Sequence, residues 1–354
     1  MKLASLRRKI DNIDKEIVSK LSERASVVKD IGELKKHTDR TVYMPDRESE
    51  IYDNVLRGNK GPLSDKALVS IYREVMSSSL SLEKGLRIAY LGPEATFTHL
   101  AAMKKFGSNV EYYSCSNITD VFKDVEAERS DYGVVPIENS TEGMVNHTLD
   151  MFINSDLKIC SEVSLDISHN LMSMSSGIRS IKKIYSKTEV FGQCRIWIEA
   201  NLHNAELVEV STTSKAAEIV SREKNSAAIA SILAAEKYKL NVLAKDIEDN
   251  ANNVTRFLVI GEKIPSPTRN DRTSIMFAAK DRVGALHDML VPFKKNKVNL
   301  TKIESRPSKR KVWEYYFFID MLGHCENANV KKALEELEKQ STYFKILGSY
   351  PIGI

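Results

Sequence analysis

Cations at helical spacing are the first residues in this chain that could do chemistry. Arg24 and Lys35 lie 11 residues apart in a proline-free stretch. At about 100° per residue they fall only about 20° from one helix face, three turns apart. A second cation-bearing helix opens Pro45-Asp46-Arg47-Glu48. An isolated surface Lys or Arg is usually solvated charge, but Arg24 sits within a turn of the apolar stripe through Leu21. Guanidinium forks suit carboxylates, and an ammonium suits a point of developing negative charge. Three polar motifs follow at strand ends: Gly92-Pro93-Glu94-Ala95-Thr96-Phe97, Pro136 to Gly143, and Asn253-Val254-Thr255-Arg256-Phe257. The first opens a helix, so its amides and the Thr96 hydroxyl could receive an anion. The second stands where open α/β sheets bind ligands. Taken singly, each also reads as a turn, a polar cap or a threonine in a strand. Further on come Gly284-Ala285-Leu286 before a helix and Glu304-Ser305-Arg306-Pro307 at a strand end.

Three kinds of segment must position these residues. Residues 3–36 carry Leu3, Leu6, Ile10, Ile13, Ile17 and Leu21 at steps of 3 or 4, the pattern of one long helix. Such a helix spans about 50 Å, too long a stripe for one small domain to cover, so a partner chain is expected. Pro45 suits the first turn of a second helix, and Ser64 can cap a third. From Leu86 helical stretches (97–106, 118–128, 190–202, 213–223) alternate with short apolar runs (132–135, 182–185, 206–210, 227–230, 255–260). That alternation predicts α/β structure with largely parallel strands. Residues 262–272, with Pro265 and Pro267, read as a linker. Beyond them strand 274–279, a helix near 285–296, strands near 298–305 and 312–320, helix 327–340 and strand 343–349 give the order β-α-β-β-α-β, the ferredoxin-like plan.

The chain has 354 residues, 28% charged and 42% hydrophobic, the make-up of a folded multidomain protein. No run of 18 apolar residues offers a membrane span, and no secretory signal opens the sequence. The four cysteines form no Cys-x-x-Cys, and the fifteen glycines form no Gly-x-Gly. The cysteine spacing argues against a zinc ribbon or a disulfide framework, and the glycines remove the dinucleotide fingerprint. The expectation is a cytoplasmic protein without metal or cofactor. A net charge of +4 without a concentrated basic stripe argues against a nucleic-acid partner.

Leu6-Arg7-x-x-Ile10-Asp11, Leu21 to Arg24, Ile31 to Lys35 and Pro45 to Glu48 together resemble the all-helical chorismate mutases over most of residues 1–84. The resemblance implies that Arg7 reaches into a partner subunit's site while Arg24 and Arg47 hold the substrate's carboxylates. Lys35 would donate to the ether oxygen and Glu48 bind the ring hydroxyl. Ser79 and Glu83 on the third helix would complete the pocket. The residue types fit a pericyclic rearrangement, which needs a held conformer and charge stabilisation rather than a nucleophile. Met44 stands where many relatives have an acidic residue, and Glu83 where some have glutamine. Glu83 would have to be protonated to donate a hydrogen bond to the ether oxygen.

Residues 86–262 resemble prephenate dehydratase, the Thr255-Arg256-Phe257 triplet being the most specific motif. Tyr185-Ser186, Gly192-Gln193-Cys194 and Ser168 to Leu171 add to the match, whereas Lys187-Thr188-Glu189 departs from it. The resemblance implies a cleft between two lobes similar to periplasmic binding proteins. There Thr255 would assist departure of the ring hydroxyl as carbon dioxide leaves, giving phenylpyruvate. Arg256, Asn139, Ser186 and Gln193 would orient the substrate, with Glu138 supporting the loop. Residues 273–354 resemble the phenylalanine-binding ACT domain. Gly284, Ala285, Leu286, Glu304, Ser305 and Arg306 would be its effector site, at an interface between ACT domains.

Over the whole chain this order resembles the bifunctional mutase–dehydratase family of phenylalanine biosynthesis. It implies chorismate and prephenate as substrates, phenylalanine as inhibitor, and a homodimer or homotetramer. Two rivals stand beside it: a dehydratase whose mutase is weakened at Met44, and an amino-acid sensor without catalysis.

Overall fold

The structure, a computed structural model, describes residues 3–36, 43–280, 282–308 and 315–353. It divides into two compact units, Met1–Arg87 with Lys105–Glu111, and Ile88–Lys104 with Tyr112–Ile354.

The first unit is built on three helices, α1 (Leu3–Lys36), α2 (Pro45–Gly58) and α3 (Asp65–Glu83). Pro45 begins α2, where a missing N–H costs nothing, and the Ser64 hydroxyl accepts from the Ala67 amide at the start of α3. α1 packs along α3. Gly32 lets them approach closely, since a Cβ there would sit 3.2 Å from the Glu83 Cα. The N-terminal half of α1 leaves its apolar stripe uncovered: Leu3 is 63% exposed, Ile10 56% and Ile17 50%. The stripe is therefore present as expected, and this chain alone does not bury it.

Among the described residues the second unit contains fifteen strands. β1 (Arg87–Leu91), β2 (Glu111–Cys115), β3 (Tyr132–Asn139), β4 (Gly143–Met144) and β5 (Lys158–Asp166) form one lobe. The other lobe holds β6 (Asn170–Ser173), β7 (Lys183–Ser186), β8 (Glu206–Glu209), β9 (Ser226–Ala230) and β10 (Asn241–Ala244), in the order β10-β6-β9-β7-β8. β11 (Val254–Gly261) then returns to the first lobe and inserts between β5 and β3. Helices α4 (Phe97–Phe106), α5 (Ile118–Glu126) and α6 (Asn146–Asn154) belong to the first lobe's sequence. Phe122, Phe152, Val135 and Leu258 belong to a buried core that also takes in Met276, Phe318 and Leu347 from the C-terminal strands.

The expectation of largely parallel strands needs correction. β1–β3, β7–β8 and β7–β9 are parallel, but β11 is antiparallel to both β3 and β5. The topology explains this. The chain leaves the first lobe at the C-terminal end of β5 and comes back at that same end, so β11 must run the opposite way. The stretch expected as one helix over 190–202 is also broken, into Thr188–Gln193 and Arg195–Leu202 about Cys194.

β12 (Asp271–Ala278), β13 (Leu300–Pro307), β14 (Tyr315–Leu322) and β15 (Tyr343–Pro351) complete the β-α-β-β-α-β plan with helices Ala285–Lys295 and Ala328–Glu338. The expected strand 312–320 is seen from Tyr315, its first residues lying outside the described ones. This sheet joins the first lobe's sheet through β15 and β5, in register at Gly348 and Ile159. A Cβ at 348 would lie 2.2 Å from the Ile159 carbonyl oxygen, so only glycine permits the junction.

Candidate active sites

In the first unit α1 and α3 bring four of the expected residues into pairs. The Arg24 guanidinium donates to the Ser79 hydroxyl, which in turn donates to the Val75 carbonyl at 2.8 Å. Lys35 Nζ lies 2.8 Å from Glu83 Oε2, both side chains largely buried. On α2, Glu48 Oε2 accepts from the Tyr43 hydroxyl at 2.8 Å and lies 2.7 Å from Lys105 Nζ. Met44 caps α2 without a side-chain hydrogen bond. Arg47 is not gathered with these groups; it is exposed and pairs with Glu50. Arg7 is exposed on α1, about 25 Å of helix rise from Arg24, so it cannot serve the same chain's pocket.

In the second unit three expected residues meet where the chain crosses between lobes. Asn139 ends β3, and Thr255 pairs with it in register near the start of β11. Asn139 Oδ1 accepts from the Thr141 amide, the Thr141 hydroxyl and the Glu142 amide, at 2.6 to 2.9 Å. Those donors fix the side-chain amide so that Nδ2 points the other way. Nδ2 donates to Thr255 Oγ1 at 2.7 Å and to Asn253 Oδ1 at 2.8 Å. Thr255 Oγ1 is thus an acceptor from Asn139, and its own proton remains to be donated.

Gln193 extends the network. Its Oε1 lies 2.7 Å from His169 Nε2 and 3.3 Å from Asn253 Nδ2, and its Nε2 lies 3.1 Å from Glu142 Oε1. Since Oε1 only accepts, His169 must carry its proton on Nε2. Burial holds the His169 pKa below the usual histidine range, which keeps that ring neutral. The sequence reading placed His169 and Asn253 in matching motifs without giving either a role. Their signal was a histidine and an asparagine flanking crossovers, too common to single out.

Ser186 ends β7 fully buried and donates to the Ile229 carbonyl at 2.8 Å, so it does not join this chain of amides by a hydrogen bond. The Gly92 loop uses its polar groups internally: the Ala95 amide donates to His99 Nδ1 and the His99 amide to Thr96 Oγ1. It offers less to an anion than the sequence suggested.

Arg256 departs most from expectation. Adjacent strand residues face opposite sides of a sheet, so its side chain leaves on the face away from Thr255. Its Nη1 is 2.7 Å from Asp320, its Nη2 donates to the Tyr350 hydroxyl at 2.9 Å, and its Nε is 2.7 Å from Glu162. Burial works against this charge, but Tyr350, Asp320 and Glu162 outweigh it and raise the Arg256 pKa. Arg256 therefore ties β11 to β14 and β15 rather than facing Asn139 and Gln193. Glu138 follows the same face, 2.7 Å from Lys302 on β13.

The expected effector residues are split by the same alternation. Gly284, at φ +78°, caps helix Ala285–Lys295, and Leu286 is 38% exposed. Ser305 is exposed, while Glu304 and Arg306 lie on the other face of β13, where Arg306 Nη2 reaches Asp150 at 3.1 Å. Glu304 lines a cavity with Arg256, Lys302 and Asp320.

Comparison with known proteins finds three families in order along the chain. Family models for chorismate mutase type II, prephenate dehydratase and the ACT domain match residues 6–84, 88–265 and 273–339. The chain is 50% identical over 353 residues to the bifunctional chorismate mutase/prephenate dehydratase of Aquifex aeolicus, covering 99% of this chain and 98% of that one. It is 44% identical to the protein of the same name from Stutzerimonas stutzeri, again over 99% and 98%. Among solved structures, the prephenate dehydratase of Arthrobacter aurescens in complex with L-Phe aligns at TM-score 0.71 and 34% identity. That alignment covers 75% of this chain and 90% of the other. With three domain matches in order and full-length relatives at such identity, the chain belongs to the bifunctional chorismate mutase/prephenate dehydratase family.

Proposed function

We propose that the helical unit rearranges chorismate to prephenate and that the Asn139–Thr255–Gln193 cluster converts prephenate to phenylpyruvate. The observation that carries the second step is the Asn139 Nδ2 to Thr255 Oγ1 hydrogen bond at 2.7 Å. Accepting that bond leaves the threonine proton to meet the departing ring hydroxyl, and it stabilises charge gathering on Oγ1. Ser186 supports the wall of the same site, and Glu138 and Arg256 hold its strands from behind. The relatives' shared name supports both activities, and no helix among the described residues is long and apolar enough to cross a membrane. Four free thiols accord with a reducing, cytoplasmic setting.

The mutase reaction asks Arg24 to bind a substrate carboxylate and Lys35 to meet the ether oxygen; Arg47, exposed and paired with Glu50, reaches the second carboxylate only by leaving Glu50. Ser79 fixes Arg24, and Glu83 holds Lys35 until substrate arrives. Arg7, too far from its own pocket, completes that of a second copy packed on the exposed face of α1, in a homodimer or a tetramer of such dimers. Mixing Arg7→Ala with Arg24→Ala chains tests this. After subunit exchange one pocket of each mixed dimer regains both arginines, so activity should recover to about a quarter of wild type in a symmetric dimer. No recovery after verified exchange would show that the pocket is not shared.

Phenylalanine should inhibit the dehydratase by binding at Gly284–Leu286 and Ser305 between two ACT domains, and it should raise the melting temperature, since it stabilises the form it binds. In Gly284→Val a branched side chain must adopt φ +78° and fill the space before the helix amides. Inhibition, measured against the variant's own uninhibited rate, and thermal stabilisation by phenylalanine should both be lost. Inhibition that survives would place the effector elsewhere.

A further inference from the structure

The stretch that matches the dehydratase family begins at residue 88, yet its segment Lys105–Glu111 packs as part of the helical unit. This segment is anchored at several points. The Ser108 amide and hydroxyl both donate to Glu74 Oε2, at 3.1 and 2.6 Å, and the Asn109 amide donates to Ser77 Oγ at 2.9 Å. Gly107, at φ +73°, lies so close to α3 that a Cβ there would meet the Ser77 side chain at 2.5 Å. Phe106 stacks edge-on against Tyr43, with ring centroids 5.0 Å apart. The segment is fixed to the very elements that carry the mutase residues.

Its first residue is Lys105, whose ammonium lies 2.7 Å from Glu48 Oε2 and 5.9 Å from the centre of the Tyr43 ring. Both side chains of the ion pair are largely buried, at 16% and 11% exposure. Tyr43 donates to that same oxygen, so Lys105 and Tyr43 converge on Oε2. Among the described residues no hydrogen bond falls on Oε1, which leaves that oxygen to accept from a substrate hydroxyl. Charge points the same way. Glu48 would face a substrate with two carboxylates, and an anion set against a dianion is unfavourable unless a cation offsets it.

We propose that Lys105 is a positioning residue for the chorismate mutase: it holds and neutralises Glu48 so that Oε1 receives the ring hydroxyl. The mutase pocket is therefore not closed by residues 1–84 alone but needs a cation encoded in the dehydratase part of the chain. This inference rests on the reading that Glu48 contacts the substrate, and the test separates the two.

The full-length chain is used throughout, with chorismate as substrate and the melting temperature and the prephenate reaction of each variant as checks of folding. Lys105→Met keeps the aliphatic stem and removes the charge; Lys105→Arg restores a cation. Lys105→Met should lower mutase kcat/KM at least about tenfold, mainly through KM, because the hydroxyl contact exists in both ground and transition states. Lys105→Arg should regain most of that loss. In a Glu48→Gln background, where no charge needs holding, Lys105→Met should add less than about twofold. Lys105→Met equal to wild type, while Glu48→Ala is impaired, overturns the role of Lys105 and leaves that of Glu48. Glu48→Ala equal to wild type removes Glu48 from the site and the proposal with it. Equal losses with and without Glu48, or equal losses in both activities, would make Lys105 structural and overturn the proposal.

Discussion

Thr255→Ala is expected to lower prephenate turnover by about 10²-fold or more, the usual cost of removing one preorganised donor from a site of developing charge. Thr255→Ser should keep most of the rate, because the hydroxyl and its bond from Asn139 survive. The mutase should be unaffected, since Thr255 lies in the second unit and the mutase residues in the first. Asn139→Asp probes the same bond from the other side. It keeps shape but replaces the donor at 2.7 Å by an acceptor, so the threonine proton is drawn back to the aspartate and away from substrate. Its loss should approach that of Thr255→Ala, and the double variant should be little worse than either, as for residues that act as a unit. Multiplying losses would mean that Asn139 contacts the substrate independently. A Thr255→Ala chain as active as wild type would remove the threonine from the reaction.

The site was legible wherever its residues were local in sequence. Arg24 and Lys35 could be placed on one face from helix geometry alone, and both do meet α3, at Ser79 and Glu83. Ser64 as a cap and the β-α-β-β-α-β order of the last segment also follow from short-range pattern. What the sequence did not disclose depends on chain reversals. Strand alternation makes neighbours such as Thr255 and Arg256 diverge, so a motif read as one functional triplet serves two faces. The same alternation divides Ser305 from Glu304 and Arg306. Nor could spacing show that Lys105 meets Glu48, because that contact depends on how a segment after β1 folds back. Likewise β11 looks like any other apolar run until the return path from the second lobe fixes its direction.

Arg256→Met should then behave as a structural lesion rather than a lost substrate contact. Its guanidinium joins Glu162, Asp320 and Tyr350, all at 9% exposure or less. Asp320 also accepts from Ser274 at 2.6 Å, and Glu162 is shared with Arg272 at 2.7 Å. Removing one partner of a buried ion pair leaves the other desolvated and uncompensated, at a cost of about 3–5 kcal/mol. At roughly 2–4 °C per kcal/mol for a unit of this size or somewhat less for a larger one, the melting temperature should fall by about 10 °C. Activity should fall as well, since Thr255 is the next residue on β11 and small misplacements of a reacting group can cost about 10²-fold. Pairing Arg256→Met with Asp320→Leu removes both charges and should recover part of the stability, as replacing a buried pair by apolar groups often does. A guanidinium that instead bound substrate would give the opposite signature. The melting temperature would hold, KM for prephenate would rise, and the second substitution would rescue nothing. Phenylalanine sensitivity is the third readout. Among the described residues Arg256–Asp320 and Glu138–Lys302 link the Thr255 and Asn139 strands by charge to β14 and β13. Cutting the first should weaken the response of the remaining activity to the effector, whereas a simple substrate contact would leave that response intact.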